Sequence, residues 1–203
     1  MPDASRLILA SGSAARKSLL EAAGLTFETI PADIDEAAVR DTVMMAGAPL
    51  AAAEIAGMLA AAKARNISLL HPEALVIGAD QVLALGDRIF SKAETLLAAR
   101  EILCELRGET HSLVSAVALA RDGVVHWQTN ATAEMTMRNF SDEFLGAYLE
   151  RMGSKALRSV GCYELEGLGV QLFERISGDY FTILGIPLLQ LLARLRREEM
   201  VTA

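Results

Sequence analysis

The sequence predicts an α/β protein, a sheet with flanking helices, on three observations. Leu7 to Ala10 is a short apolar run that breaks at Ser11-Gly12-Ser13 into a helical stretch, Ala14 to Ala23, closed by Gly24. A second apolar run, Ala74 to Ile77, has the character of a buried strand and lies beyond a long Ala-rich helical segment. Strand-like and helix-periodic stretches then alternate to the C-terminus. At 203 residues and 52% hydrophobic composition, the chain suits one domain, residues 1–203, burying about 70% of its unfolded surface.

The totals exclude several classes of function. Against 19 Lys and Arg stand 26 Asp and Glu, a formal charge of -7, so no general polyanion-binding face is expected and nucleic acid is not an expected partner. Cys104 and Cys162 have neither metal-ligand spacing nor a disulfide framework, which fits a reducing compartment and a cytoplasmic location. No charged region followed by an apolar core marks a secretory signal. The stretch from Val43 to Ala62 is apolar, but Gly47, Pro49 and Glu54 interrupt it, so a soluble helix starting at Pro49 is expected rather than a membrane span.

The first strand and helix form a strand, a small-residue turn and a helix start. Such a turn aims backbone N–H groups and the positive end of the helix dipole at one point, and Ser11, Ser13, Arg16 and Lys17 add hydroxyls and charge there. A phosphate suits that point, although Ser and Gly also serve simple capping. Phe27 to Ile30 reads as a second strand. The loop PADIDE then gathers Asp33, Asp35 and Glu36, either to bind a cation or as a solvated turn capping the next helix. Lys63 falls near the end of the helix from Pro49, where a lysine complements the dipole.

The run from Ala74 to Ile77 meets Gly78-Ala79-Asp80-Gln81 before apolar residues resume through Leu85. Asp80 is therefore expected directly after a buried strand, a position that is costly for a carboxylate unless a cation satisfies it. Sites in α/β sheets gather at strand ends, so Asp80 is either functional or one half of a local salt bridge. Gly86-Asp87 predicts a hairpin turn into Arg88 to Phe90, then Ser91 and Lys92. The next helix runs from Glu94 to Leu106 and stops at Gly108. Ser112 to Ala120 and Val124 to Met137 read as strands joined by Asp122-Gly123, with His111 and His126 structural or on the surface. Ser141 caps a helix to about Met152. Glu166 lies in a Gly-punctuated bend, and Gly185-Ile186-Pro187 introduces a Leu-rich helix from Leu188 to about Glu198 that packs on the core.

No catalytic triad, GxSxG elbow or His cluster for zinc is present. What remains are separated cations, Arg16, Lys63 and Lys92, with carboxylates at Glu36 and Asp80 and a Ser-rich helix start. Such opposed sets suit a metal-bound polyphosphate.

In order, LASGSxxRKxLLExxG, DIDE, LAxxKA, IGAD, SK, LRGETHSLVSAVAL, GLGVQLFERISGDY and LGIPLLQLL resemble the Maf family of nucleoside triphosphate pyrophosphatases, from about Leu7 to Leu195. The resemblance implies an α/β fold of the Maf/ITPase-like type, a mixed twisted sheet with flanking helices and two lobes around a central cleft. It implies a nucleoside triphosphate substrate, hydrolysed to the monophosphate and pyrophosphate by metal-assisted attack of water at the α-phosphorus, with Mg²⁺ or Mn²⁺ as cofactor. Asp80 is then catalytic base or metal partner and Glu36 helps place the metal. Ser11, Ser13, Arg16, Lys63 and Lys92 meet the substrate, and similar proteins are often homodimers.

The chain departs from the family pattern at Ala14, Ala15, Ala62 and Ala93. Three positions bear on the base: the dTTP and UTP branch carries arginine, threonine and glutamine where the 7-methyl-GTP branch carries tryptophan, glutamine and glutamate. This chain has Ala15, Gln81 and Glu166, two of three in agreement with the second branch. A carboxylate at Glu166 can accept from guanine N1–H and its amino group, whereas Ala15 forgoes a stacking surface worth about 1–3 kcal/mol. A dTTP or UTP pyrophosphatase is the alternative within the family, and a non-catalytic nucleotide-binding regulator of cell division is the alternative outside enzymology.

Overall fold

The computed structural model describes residues 6–36, 38–39 and 51–201. Seven strands join in one mixed sheet, β1 Leu7–Ala10, β2 Glu28–Thr29, β3 Leu75–Leu85, β4 Arg88–Phe90, β5 Thr110–Arg121, β6 Val124–Met137 and β7 Phe173–Ser177. They bond in the order β2-β1-β3-β5-β6-β7, with β4 on β3. The helices are α1 Ala14–Ala22, α2 Ala52–Leu70, α3 Leu96–Leu106, α4 Asp142–Met152, α5 Tyr180–Ile183 and α6 Leu188–Arg197. The α/β class expected from the sequence is the class observed. Two compact units are distinguished. The first comprises Met1–Gln81, Ser115–Ala131 and Tyr180–Ala203, and the second Val82–Val114 and Thr132–Asp179.

In the first unit β1 pairs in parallel with β2 and with β3, and the second pairing ends at Ala10 opposite Gly78. Side chains alternate across a strand, and both cores follow that parity. Leu7, Leu9, Leu75, Ile77 and Ala79 join Val117 and Leu119 beneath Leu188, Leu191 and Leu195 of α6. Ile8, Ala10, Ala74 and Val76 pack with Ile67 of α2 on the other face. Each fully buried Leu or Ile contributes about 1.5–3 kcal/mol. Gly78 lies on the α2 face with the helix backbone almost in contact: a Cβ there would be 2.1 Å from the Ala60 carbonyl oxygen and 2.5 Å from the Ala64 nitrogen. Glycine on the strand, with Ala60 and Ala64 one turn apart on the helix, is what admits this approach.

The predicted start of α2 at Pro49 falls outside the described residues. Within them the helix begins at Ala52, and the Glu54 carboxylate accepts from the Ala51 N–H at 3.0 Å. No helix among the described residues is long and apolar enough to cross a membrane.

In the second unit β3 turns through Gly86 (φ +58°) into β4. Thr95 caps α3, its hydroxyl accepting from the Ala98 N–H, so that helix starts two residues later than expected. Arg107, after α3, donates to the Phe140 carbonyl and to Asp142 at the start of α4. β7 runs antiparallel to β6, with Glu134 opposite Ser177. His111 on β5, Tyr163 and Phe173 form an aromatic cluster. The Asp122-Gly123 hairpin, at φ 48° and 73°, belongs to the first unit, where the Gly123 N–H donates to Ser68 Oγ at 3.1 Å.

Candidate active site

The helix start after β1 is built by its own side chains. Ser13 is the N-cap, its hydroxyl accepting from the Arg16 N–H at 3.4 Å, and Ser11 Oγ accepts from the Ser13 N–H at 3.3 Å. The capping use of these serines is thus realised, while the first-turn amides of Ala14 and Ala15 point out of the helix N-terminus with its dipole. Ala15 is half-buried.

Arg16, expected to add charge at the start of α1, is held inward. Its guanidinium is buried: Nε donates to the Gly185 carbonyl at 2.8 Å, and Nη1 donates to Ser11 Oγ at 3.0 Å and to the Ala79 carbonyl at 3.1 Å. That carbonyl is available because β1 has ended one register pair earlier, at Gly78. Burial pulls the Arg16 pKa down from its ordinary value, and the charges of Asp80 and Glu36 act in the opposite sense. Arginine stays protonated regardless, so a fixed positive charge sits beside the end of β1. Nη2 is the guanidinium nitrogen to which no described residue is bonded.

Asp80, expected directly after the buried run with strand character resuming through Leu85, stands in the middle of one continuous strand, because β3 runs on to Leu85 where its neighbour β1 has stopped. Strand parity turns its side chain with Gly78 toward α2. There Lys63 Nζ lies 2.5 Å from Asp80 Oδ1 and 2.7 Å from Glu36 Oε1. Lys63 and Asp80 are largely buried and Glu36 is half-exposed. The close approach at Gly78 sets this contact, since Lys63 lies on the same helical turn as Ala60 and Ala64. Asp80 Oδ2 has no bonded partner among the described residues.

Asp35 caps the backbone after it, Oδ1 accepting from the Ala38 N–H at 2.9 Å. Among the described residues no group of three or more His, Cys, Asp and Glu is placed to hold a metal, so Asp33, Asp35 and Glu36 do not form a cation site by themselves. Glu36 instead joins Asp80 at Lys63.

Gln81 points to the opposite sheet face. Its amide nitrogen donates to Ser115 Oγ at 3.0 Å and to the carbonyls of Thr182 and Ile183 at 3.1 and 3.0 Å. Lys92, after β4, and Glu166, before a 3-10 turn at Leu168–Leu172, are exposed residues of the second unit. Cys162 is fully buried, and burial pushes its thiol up to about 11, which excludes it as a nucleophile at neutral pH.

Sequence reasoning found Lys63, Asp80, Glu36, Arg16 and Ser11, which the first unit brings together around the ends of β1 and α1. It missed Ser115 and Gly185. A lone hydroxyl inside the apolar run LVSAVALA was the available sign of the first, and Gly before Ile-Pro of the second.

The family described as Maf-like protein matches residues 6–198. A 7-methyl-GTP pyrophosphatase of Rhizobium etli is 52% identical over 191 residues, covering 94% of this chain and 95% of its own. One from Brucella abortus is 51% identical over 196 residues, covering 97% and 98%. A nucleoside triphosphate pyrophosphatase of Granulibacter bethesdensis is 48% identical over 197 residues, covering 97% and 99%.

Proposed function

Because this chain belongs to the Maf-like family over nearly its whole length, we propose that it is a nucleoside triphosphate pyrophosphatase acting on 7-methyl-GTP, releasing 7-methyl-GMP and pyrophosphate in the cytoplasm. Relatives about half identical over almost the full chain carry that activity in their names, some with the methylated substrate. The observation that carries the chemistry is the Lys63, Asp80 and Glu36 cluster beside the buried Arg16 and the start of α1. A fixed guanidinium, an ammonium and helix amides match a triphosphate in charge, and a largely buried carboxylate with an uncommitted oxygen matches a proton acceptor.

In this reading Asp80 takes the proton from the attacking water through Oδ2 while Lys63, bound to Oδ1, holds the carboxylate in place. Arg16 through Nη2, the amides of Ala14 and Ala15, and the side chains of Ser11 and Ser13 hold phosphate oxygens. They offset the charge that grows on the leaving pyrophosphate, a role shared with Lys63 and Lys92. Glu166 receives the guanine edge.

The family implies a divalent cation, Mg²⁺ or Mn²⁺. The donor set fits one: two carboxylates, Glu36 and Asp80, already meet at a single positive charge, Lys63 Nζ. Magnesium is commonly held by one or two carboxylates, with substrate phosphates supplying further ligands. When bound, the cation neutralises polyphosphate charge.

The test is pyrophosphate release with Mg²⁺ or Mn²⁺ from 7-methyl-GTP, GTP, UTP, dTTP, CTP and ATP. Preference for 7-methyl-GTP supports the reading. Preference for dTTP and UTP overturns the substrate and keeps the enzyme class, and binding of nucleotides without turnover overturns both.

A further inference from the structure

Tyr163 is buried in the second unit, just ahead of the bend that carries Glu166, and each of its polar groups has a partner. Its phenol oxygen lies 2.8 Å from Nε2 of His111 on β5. Its backbone N–H donates to Ser159 Oγ at 3.0 Å, and the same hydroxyl donates to its carbonyl at 2.7 Å. The ring meets Phe173 edge-on and packs so closely on Gly161 that a Cβ there would lie 2.3 Å from its Cε1. Just before it, Cys162 holds φ +60°, a left-handed conformation unfavourable for a side chain, with its carbonyl accepting from the Tyr148 hydroxyl at 3.0 Å. Such a conformation persists where the surrounding bonds over-determine it.

The bend starts at the next residue. The Gly167 N–H donates to the Glu164 carbonyl at 3.1 Å, closing a turn with Leu165 and Glu166 at its tip. Gly169 then returns to the same place: a Cβ on it would lie 2.5 Å from that carbonyl oxygen and 2.9 Å from Tyr163 Cβ. Residues 164–169 therefore leave from Tyr163 and come back to it, with Glu166 the exposed acid between. A shift of Tyr163 carries that carboxylate with it.

We propose that Tyr163, anchored by His111 and Ser159, is a positioning residue for nucleotide choice: it sets where the 164–167 turn holds the Glu166 carboxylate. The proposal rests on the reading of Glu166 as the group that receives the guanine edge. Burial lowers the His111 pKa to about 4, so this anchor joins two uncharged groups at neutral pH.

The experiment compares the full chain with Tyr163→Phe, Glu166→Gln and the double variant, reading KM and kcat for 7-methyl-GTP and UTP. Tyr163→Phe keeps the ring and loses the bond to His111. It is expected to raise KM for 7-methyl-GTP about fivefold with kcat within about twofold, and to leave KM for UTP within about twofold. The preference for 7-methyl-GTP, as a ratio of kcat/KM values, then narrows about fivefold. In the Glu166→Gln background the same substitution should narrow it no further, since both act through one carboxylate. If Tyr163→Phe fails to fold, Ser159→Ala decides by the same readouts.

An equal loss on both nucleotides, an unchanged preference in Tyr163→Phe, or a further narrowing of about fivefold in the double variant would overturn the proposal. An unchanged preference in Glu166→Gln removes its premise and overturns it too, and that result is read in the single variant alone. A preference of the unaltered protein for UTP, or no release of pyrophosphate from any nucleotide, defeats the proposed function itself and is seen before any variant is made.

Discussion

Replacing Gly78 by Ala puts a methyl group where the backbone of α2 already lies. The new Cβ would sit 2.1 Å from the Ala60 carbonyl oxygen, 2.5 Å from the Ala64 nitrogen and 2.8 Å from the Ala64 Cβ. Ordinary contacts lie beyond about 3.4 Å, so strand and helix must separate by roughly 1 Å, and backbone cannot swing aside as a side chain can. Overpacking of this kind costs about 3 kcal/mol, which for a chain of this size lowers Tm by about 6–12 °C. The separation also draws Lys63 away from Asp80, and a displacement near 1 Å at a catalytic contact lowers kcat/KM by about a hundredfold. Gly57 on the same helix supplies the control: nothing lies within 4 Å of a Cβ there, so Gly57→Ala gains about 0.5–1 kcal/mol from helix propensity and leaves activity unchanged. Urea unfolding measures stability and pyrophosphate release measures activity. Gly78→Ala within about 0.5 kcal/mol of the unaltered protein, with unchanged kcat/KM, would refute the link between helix approach and site geometry.

Three further outcomes are expected. Asp80→Asn lowers turnover by about 10²–10⁴-fold with little change in Tm, because Lys63 keeps Glu36; near-normal kcat removes Asp80 from the mechanism. His111 is buried beside Tyr163, with Nε2 2.8 Å from the phenol oxygen and Nδ1 without a partner among the described residues. Burial lowers its pKa from 6.5 to about 4, so the folded protein favours the neutral ring. The full stability is present above pH 6.5 and is lost as pH falls toward 4, by about 3 kcal/mol from this group. In urea titrations at pH 7 and pH 4, His111→Phe should lose that much less than the unaltered protein, and parallel losses in the two proteins would contradict the assignment. Glu166→Gln should narrow the preference for 7-methyl-GTP over UTP by about tenfold in kcat/KM, and an unchanged ratio frees Glu166 from base recognition.

Elements bounded by strong local signals were legible in the sequence. Leu7–Ala10 and α1 follow from an apolar run, a capping serine and Gly24, and the Gly86 and Asp122-Gly123 turns from residues that accept positive φ. β7 and α5 were not anticipated as elements: four of the five β7 residues are exposed, and α5 has four residues, too few for a helical period to show.

Within the site, Asp80 could be singled out because a carboxylate in an apolar run needs a cation, whereas Lys63 and Glu36 took their roles from the resemblance to the Maf family. Their geometry could not be read, because the position of Asp80 depends on β1 stopping opposite Gly78 while β3 runs on, a matter of register between segments far apart in the chain. The burial of Arg16 was equally hidden. It depends on a carbonyl at Gly185, 169 residues away, and a charged letter on a first helical turn otherwise reads as solvated.

The most direct measurement is hydrolysis of 7-methyl-GTP in ¹⁸O-labelled water with Mg²⁺, followed by mass spectrometry of both products. Attack at the α-phosphorus predicts one heavy oxygen in 7-methyl-GMP and none in pyrophosphate. Label in pyrophosphate or inorganic phosphate, or no product at all, would contradict the account.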